Sequence, residues 1–111
     1  MIKHLCFVCT LTLGFALPAL AQVQGGSISG IVLDPQGAVV PGVSVTAQGA
    51  DAAFESTTEA DGRFRFLNLA PGPYRLTAVL QGFSIVVRQN IIVDVGKNAD
   101  VPINLKVSRW S

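Results

Sequence analysis

Apolar and polar residues alternate with a period of two along most of this 111-residue chain after residue 25. The segment 43–48, VSVTAQ, places Val43, Val45 and Ala47 on one side of an extended strand and its polar residues on the other. No segment shows a helical apolar stripe over about ten residues. The pattern therefore predicts an all-β fold in which each strand buries one face.

Turn-forming sequences separate the predicted strands at short intervals. DPQG (34–37), ADGR (60–63) and APGP (70–73) combine residues that preset or permit the backbone angles of tight turns. Asp-Gly between two strand-like segments favours a β-hairpin, because glycine accepts a positive φ without a steric cost. Turns spaced by about 8 to 12 residues predict a single seven- or eight-stranded antiparallel Greek-key sandwich.

Several segments carry more specific predictions. FESTTE (54–59) is polar on both faces, which suits an edge strand, and Gly30 permits the close approach of a neighbouring strand. SIVVRQ (84–89) and IIVDV (91–95) are interpreted as two separate strands. Pro102 cannot donate a ladder hydrogen bond and so argues for an edge or a bulge. The apolar residues expected to share one face of the last strand are Val101, Ile103, Leu105 and Val107.

The beginning of the chain has the organisation of a secretory signal peptide. Lys3 precedes an apolar run over residues 5–17, and Ala19 and Ala21 supply small side chains at the two positions that a signal peptidase reads. A membrane anchor is the alternative, but Pro18 interrupts the run before it reaches about 20 apolar residues. We therefore expect cleavage after Ala21 and no membrane span afterwards.

This interpretation divides the chain into four parts: a signal peptide (1–21), a flexible lead (22–25), one β-sandwich domain (26–107) and a tail (108–111). The mature chain is expected to be exported, to the periplasm, to the outer membrane or outside the cell. The pattern leaves open which of these applies, and whether the chain is complete or the front of a longer receptor.

Removal of residues 1–21 changes which reactive side chains the mature chain contains. The single His, the single Met and both Cys lie within residues 1–21, and in the remainder seven basic residues balance seven acidic ones. Without Cys or His there is no thiol nucleophile, imidazole base, or nitrogen or sulfur metal ligand. We therefore expect neither enzymatic activity nor a cofactor. With a net charge of zero, the mature chain also lacks the excess of basic residues that binding to nucleic acid phosphates needs.

The segment 61–76, DGRFRFLNLAPGPYRL, is interpreted as part of the skeleton of the fold. Phe64 and Phe66 are expected to point into the core, with the arginines beside them on the outer face. Turn and corner formation accounts for the other marked residues of the segment. These are Asp61, Gly62, Pro71, Gly72 and Tyr74.

With these motifs in order, a family resemblance can be stated. SGIVLDPQGAVVPGVSVTAQ (29–48), followed by TTEADGRFRFLNLAPGPYRLTAVLQGF (57–83), resembles the carboxypeptidase regulatory-like domain, a small transthyretin-like (prealbumin-like) β-sandwich, over residues 26–107. The resemblance implies a noncatalytic accessory module. Such modules follow the catalytic domain of some metallocarboxypeptidases and precede many bacterial TonB-dependent receptors, and this sequence is most similar to the second, exported group.

Two classes of function remain open. The first is a structural or protein-interaction module of the cell envelope, whose partner is another envelope protein. The second is a carbohydrate-binding module of the starch-binding-like type, because transthyretin-like sandwiches resemble starch-binding modules; its ligand is a glycan, held by an exposed aromatic platform. Tyr74 is expected in the core, so the candidate platforms are Phe54, Phe83 and Trp110.

Overall fold

A computed structural model of the protein describes residues 24–108. The predicted signal peptide and the tail residue Trp110 lie outside the described residues. No helix in the described part is long and apolar enough to cross a membrane. Residues 24–108 form eight strands: β1 (Gly26–Leu33), β2 (Ser44–Gln48), β3 (Ala53–Thr57), β4 (Arg63–Leu69), β5 (Gly72–Val79), β6 (Val86–Val93), β7 (Asn98–Asp100) and β8 (Ile103–Asn104).

The strands form two four-stranded sheets, which confirms the all-β sandwich. In the first sheet β1 pairs with β4 and also with β7 and β8. In the second sheet the order is β3-β2-β5-β6. β5 is therefore a central strand, and β3 is an edge strand, which confirms the prediction made for FESTTE. Pro102 lies between β7 and β8, where the last segment of the chain follows β1 in two short pieces.

The first sheet is mixed, so the prediction of a wholly antiparallel sandwich is wrong for two strand pairs. β1 runs parallel to β7, with Ser27 opposite Asn98, and parallel to β8, with Val32 opposite Ile103. The connection from β6 to β7 leaves the second sheet and enters the first, so it does not reverse the chain as a hairpin does. Side chains alternate with a period of two in both parallel and antiparallel pairs. The alternation in the sequence therefore does not predict the relative direction of two paired strands.

The Asp-Gly turn also differs from the sequence prediction, because it does not close a hairpin. β3 pairs with β2 in the second sheet, whereas β4 pairs with β1 in the first. The turn therefore carries the chain from one sheet to the other. Its local hydrogen bond, from the amide of Glu59 to the carbonyl of Arg63 at 3.0 Å, resembles the closing bond of a hairpin. A turn sequence specifies this local reversal but not the partners of the strands on either side.

The segments 84–89 and 91–95, predicted as two strands, both contribute to the single strand β6 (Val86–Val93). Asn90 lies inside it with a positive φ of 60°, and the pairing of β6 with β5 shifts register between Tyr74 and Leu76. A β-bulge lets a strand keep its partner while one residue falls out of step. The junction of the two predicted strands is therefore a bulge within one strand.

The inner faces of the two sheets meet in one hydrophobic core. Phe64 and Phe66 are 2% and 5% exposed, and their ring centroids lie 6.1 Å apart in an edge-to-face arrangement. Gly30 lies directly against Phe64: a Cβ there would collide with the carbonyl oxygen of Val101 and lie 2.6 Å from Cζ of Phe64. The other buried apolar residues are Ile28, Val32, Val43, Val45, Ala47, Leu69, Tyr74, Leu76, Ala78, Val93, Val101, Ile103 and Leu105.

One of the apolar residues predicted to share the inner face of the last strand is not in the core. Val107 is 59% exposed, although Val101, Ile103 and Leu105 are buried. β8 ends at Asn104, and Val107 makes only an isolated bridge to Phe83. Regular strand pairing does not continue to Val107, so the alternation no longer decides which way its side chain points.

A buried threonine joins the end of β3 to the loop before β2. Thr58 is 4% exposed, and its hydroxyl accepts a hydrogen bond from the amide of Val43 at 2.9 Å. The same hydroxyl donates to the carbonyl of Val40 at 2.7 Å. Buried backbone groups need such partners. Thr58 therefore fixes the loop that leads into β2.

Phe64→Ala is expected to lower the free energy of unfolding by about 3–5 kcal/mol, because truncation of a buried aromatic side chain leaves a cavity. The matched control is Phe54→Ala on the edge strand β3, where the ring is 42% exposed, and its loss should be less than half as large. Urea denaturation followed by circular dichroism measures both. Equal losses of unfolding free energy would show that Phe64 contributes no more to the core than Phe54 does.

Candidate functional site

Asp61 and Gly62 lie in the turn between β3 and β4, where their contacts are local. Gly62 has a φ of 75°, and its amide donates to the carbonyl of Glu59 at 2.7 Å. Oδ1 of Asp61 accepts a hydrogen bond from the amide of Arg63 at 3.1 Å. A Cβ at Gly62 would lie 2.8 Å from Cβ of Val39. These contacts give the pair a structural role, which is to reverse the chain between the sheets.

Tyr74 closes the corner between β4 and β5. Its side chain is 6% exposed, and its hydroxyl donates a hydrogen bond to the carbonyl of Ala70 at 2.8 Å. Pro71 and Gly72 lie between these two residues, and Gly72 has a φ of 140°. In β-sandwiches a tyrosine hydroxyl that bonds to backbone a few residues upstream fixes a corner of this kind. The corner moves the chain from the first sheet to the second.

The structure does not bring the candidate aromatic platforms together. Phe54 is 42% exposed on β3, beside the residues that begin β5. Phe83 follows the end of β5, is half-buried and packs against the core. Trp110 lies outside the described residues. Of the two that the structure describes, Phe54 therefore has the more accessible ring.

An open cleft of about 140 Å³ lies between Phe54 and Tyr74, and we call it the end cleft. It is bounded by the loop 49–52, Phe54 and the corner 70–74. A separate cleft of about 350 Å³, which we call the outer cleft, shares Gly49, Ala50, Pro73 and Tyr74 with it but does not include Phe54. Phe54 lies opposite the buried Ala47, whereas Gln48 and Arg75 lie opposite each other on the outer side of the second sheet. The polar residues that line the outer cleft are Gln48, Arg75, Gln89 and Asn90.

Two backbone features shape these clefts. A Cβ at Gly49, which lines both, would lie 2.8 Å from Cε2 of Tyr74, so only glycine lets the loop rest on that ring. In the outer cleft, the bulge in β6 places Asn90, with its positive φ, among the lining residues. Bulges and backbone outliers of this kind are common beside binding and active sites.

Sequence reasoning missed the polar residues of both clefts. Those of the outer cleft come from the end of β2, from β5 and from β6, and only the register of the second sheet places them side by side. The order of these residues along the chain gives no such signal. The missed residues are Asp51 of the end cleft and Gln48, Arg75, Gln89 and Asn90 of the outer cleft.

Charged side chains make few contacts with one another in the described part of the chain. The ion pair found there joins Arg63 to Asp61 at 3.9 Å, and both side chains are exposed. Arg75 instead donates from Nη2 to Oε1 of Gln48 at 3.0 Å, and Arg88 donates from Nη1 to the carbonyl of Pro102 at 2.8 Å. Among residues 24–108 no group of three His, Cys, Asp or Glu side chains could hold a metal ion.

The hairpin of β5 and β6 carries a second surface feature, which we call the hairpin face. Its exposed aliphatic residues are Val79, Ile85, Val87 and Ile92. Thr77 lies opposite Val87 and Pro73 opposite Ile92, which places these pairs on the outer side of the second sheet. β6 is also an edge strand, with β5 as its partner in the sheet.

A family model for the carboxypeptidase regulatory-like domain matches residues 27–106, which is most of the chain. The chain belongs to this family. The family match covers all eight strands except the first residue of β1. A search of curated protein sequences returned no match.

Solved structures share the fold at low sequence identity. The Bacillus anthracis TIE protein matches 76% of this chain with a TM-score of 0.68 and 20% identity, and the chain spans only 17% of its length. The 5-hydroxyisourate hydrolase of Klebsiella pneumoniae matches with a TM-score of 0.59 and 23% identity, over 78% of this chain and 94% of the hydrolase.

A third similar structure is a Pseudomonas aeruginosa protein described as a candidate carbohydrate-binding protein, with a TM-score of 0.54 and 17% identity, over 78% of this chain and 92% of that one. These three proteins include an enzyme and a candidate binding protein. At such identities the likeness shows the β-sandwich fold alone, and the side chains of this protein must supply the argument for its function.

Tyr74→Phe is expected to lower the free energy of unfolding by about 0.5–1.5 kcal/mol, the usual net contribution of one hydrogen bond. The ring stays in place, but the carbonyl of Ala70 loses its bond from the hydroxyl. Urea denaturation of the variant beside the unchanged protein measures the difference. No loss at all would show that the hydroxyl does not hold the corner.

Proposed function

We propose that the protein is a noncatalytic β-sandwich module that is exported and binds another protein of the cell envelope. Export is supported by the charged start, the apolar run and the two small residues of positions 1–21. The family of which the chain is a member includes accessory modules attached to enzymes and receptors. Membership of this family therefore favours an interaction role.

The hairpin face is the observation that carries this proposal. Ile85 and Ile92 are 62% and 57% exposed, and both belong to the segment that leads into or forms β6. Isolated exposed aliphatic residues are ordinary, whereas a contiguous apolar patch on a monomer often marks an interaction site. Here the patch adjoins a strand edge, where backbone groups are open to pairing with an added strand.

The charges of the hairpin indicate the chemistry of the partner. Between Gly72 and Val93 the sequence has Arg75 and Arg88 but no Asp or Glu. In the described residues both arginines donate to neutral oxygens. We infer that the partner contributes an extended segment with apolar and acidic side chains, which adds to β6 as a further strand.

A photo-crosslinking amino acid tests the hairpin face directly. Placed at Val87, p-benzoylphenylalanine is expected to crosslink one discrete envelope protein in cells, because this position lies on the hairpin face. Placed at Arg65, on the exposed outer side of β4 in the other sheet, it serves as the matched control. Peptide mass spectrometry should locate the crosslink in an extended segment that contains acidic residues. Equal labelling from both positions, or none, would reject this function.

Carbohydrate binding is the second candidate function, and the exposure of Phe54 favours it. An exposed aromatic ring beside a cleft is typical of small-ligand sites, and Phe54 lines the end cleft. The purified chain applied to a glycan array is expected to retain at least one oligosaccharide family, and retention should fall with Phe54→Ala. An empty array would remove this candidate and leave the hairpin-face proposal unaffected.

A further inference from the structure

We propose that the outer cleft binds a carboxylate group of the envelope partner, and that Arg75 is the residue that holds it. This inference rests on the proposed function, in which the partner brings acidic side chains to the hairpin, and it names the place where one of them binds. The carboxylate of an Asp or Glu side chain and that of a chain terminus share this chemistry, and the experiment separates the two sources.

The two arginines of the hairpin lie on different sides of the second sheet. Arg88 lies opposite the buried Leu76, and its guanidinium donates to the carbonyl of Pro102 between β7 and β8. Arg75 lies opposite Gln48 on the outer side. Of the two, Arg75 is therefore the arginine that shares a side with the hairpin face.

Arg75 lies in the middle of a row of planar polar side chains that crosses three strands. On one side its Nη2 donates to Oε1 of Gln48, in β2, at 3.0 Å. On the other side the register of β5 with β6 shifts, so that two residues of β6, Gln89 and Asn90, oppose Arg75. All four side chains line the outer cleft. The bulge therefore adds a second amide of β6 to this row.

The groups that remain open to a ligand are mainly N–H donors. A guanidinium has five N–H donors in a fixed plane and no acceptor, and the bond to Gln48 both uses one of them and orients the plane. That bond also occupies the amide oxygen of Gln48, whose NH₂ group remains. Gln89 and Asn90 are exposed and each add an NH₂ group. A carboxylate suits such a site, because its two oxygens accept a pair of parallel bonds from a guanidinium.

The charge of the outer cleft favours an anion. Of residues 24–108, only Arg75 brings a charge to this cleft, whose formal charge is therefore +1. Within the same residues the one ion pair joins Arg63 to Asp61, so Arg75 has no acidic partner there. Asp51, which follows Gly49 and Ala50 in their loop, lines the end cleft instead. A partner carboxylate would supply the missing counter-charge.

The surroundings of the cleft favour a carboxylate that is attached to a peptide. Its volume of about 350 Å³ lies at the lower limit of small-ligand sites and leaves room for the residue that carries the carboxylate. Along the outer side of the hairpin, the pairs Pro73–Ile92 and Thr77–Val87 flank the row of Arg75. Side chains of an extended segment recur on one side every two residues. The partner is therefore expected to carry an apolar residue two positions from its acidic group.

Three other clefts in the described part of the chain lack this charge pattern. The end cleft has Asp51 as its charged residue, which would repel an anion. The cleft of about 150 Å³ between β3 and β4 is lined by two acidic and two basic residues. The cleft of about 320 Å³ around Gly25 and Lys97 has one ammonium group, which lacks the planar donors of a guanidinium. Of these clefts, the outer cleft alone presents an unopposed guanidinium.

The test is an NMR titration of the ¹⁵N-labelled chain with three acetylated pentapeptides that differ in their carboxylate. Ile-Thr-Ile-Thr-Glu with an amidated terminus carries it on a side chain, and Ile-Thr-Ile-Thr-Gln with a free terminus carries it on the backbone. The third peptide, Ile-Thr-Ile-Thr-Gln with an amidated terminus, has none. One of the first two is expected to shift the amide signals of Gln48, Arg75, Gln89 and Asn90 and to bind about tenfold more tightly than the third. The tighter of the two identifies the source of the carboxylate.

Variants of two exposed arginines show whether the binding depends on this guanidinium. Arg75→Gln should weaken the dissociation constant of the tighter peptide about tenfold. Arg75→Lys keeps the charge without the planar donors and should weaken it less. Arg65→Gln, on the outer side of the first sheet, is the matched control and should leave it unchanged. In cells, Arg75→Gln should also lower the crosslink from Val87 several-fold.

The outcomes separate the site from the proposed function. Equal binding of the third peptide, or binding that survives Arg75→Gln, would overturn the carboxylate site. Shifts confined to residues outside the outer cleft, or no shift with any peptide, would also overturn it, and the crosslink from Val87 would decide the proposed function separately. A crosslink that stays at full strength in Arg75→Gln would overturn the partner's carboxylate as the occupant while the proposed function stood.

Discussion

The contact between Phe64 and the bare backbone of Gly30 is the interaction on which the first sheet depends. β1 is the strand that holds that sheet together, because β4, β7 and β8 all pair with it. Gly30 lies at its inner face, where the ring of Phe64 and the carbonyl of Val101 occupy the space that a Cβ would need. The sequence 22–111 has no Cys, so no disulfide can replace this packing. The position of the last segment therefore depends on a side chain of β4 as well as on its own hydrogen bonds.

The faces of the strands could be predicted from the sequence, but their partners could not. Val43, Val45 and Ala47 are all fully buried, as their alternation indicates. In β1 the same alternation is hidden, because Gly26 and Gly30 occupy inner positions that apolar side chains fill elsewhere. Pairing is a property of two distant segments, so neither the parallel position of β7 nor the change of sheet at the Asp-Gly turn has a local signal.

The candidate site was less predictable than the fold for a related reason. An exposed aromatic residue such as Phe54 can be nominated from one edge strand, but the polar groups of the outer cleft come from three different strands. Their proximity follows from the pairing of β5 with both β2 and β6, and from the bulge at Asn90 that shifts one of these registers. A bulge depends on how two strands meet. No residue type between 84 and 95 marks its place with certainty, which is why the single strand β6 was expected to be two.

Phe54 and Arg75 lie on opposite sides of the second sheet. Phe54 lies opposite the buried Ala47, on the inner side, whereas Arg75 lies opposite Gln48 on the outer side, with the hairpin face. A protein strand with acidic side chains on β6 and a sugar held against Phe54 would therefore use different sides of one sheet, and neither need displace the other. Phe54 and Val87 each belong to one surface alone, so substitutions there can distinguish a module that binds a protein from one that binds a glycan.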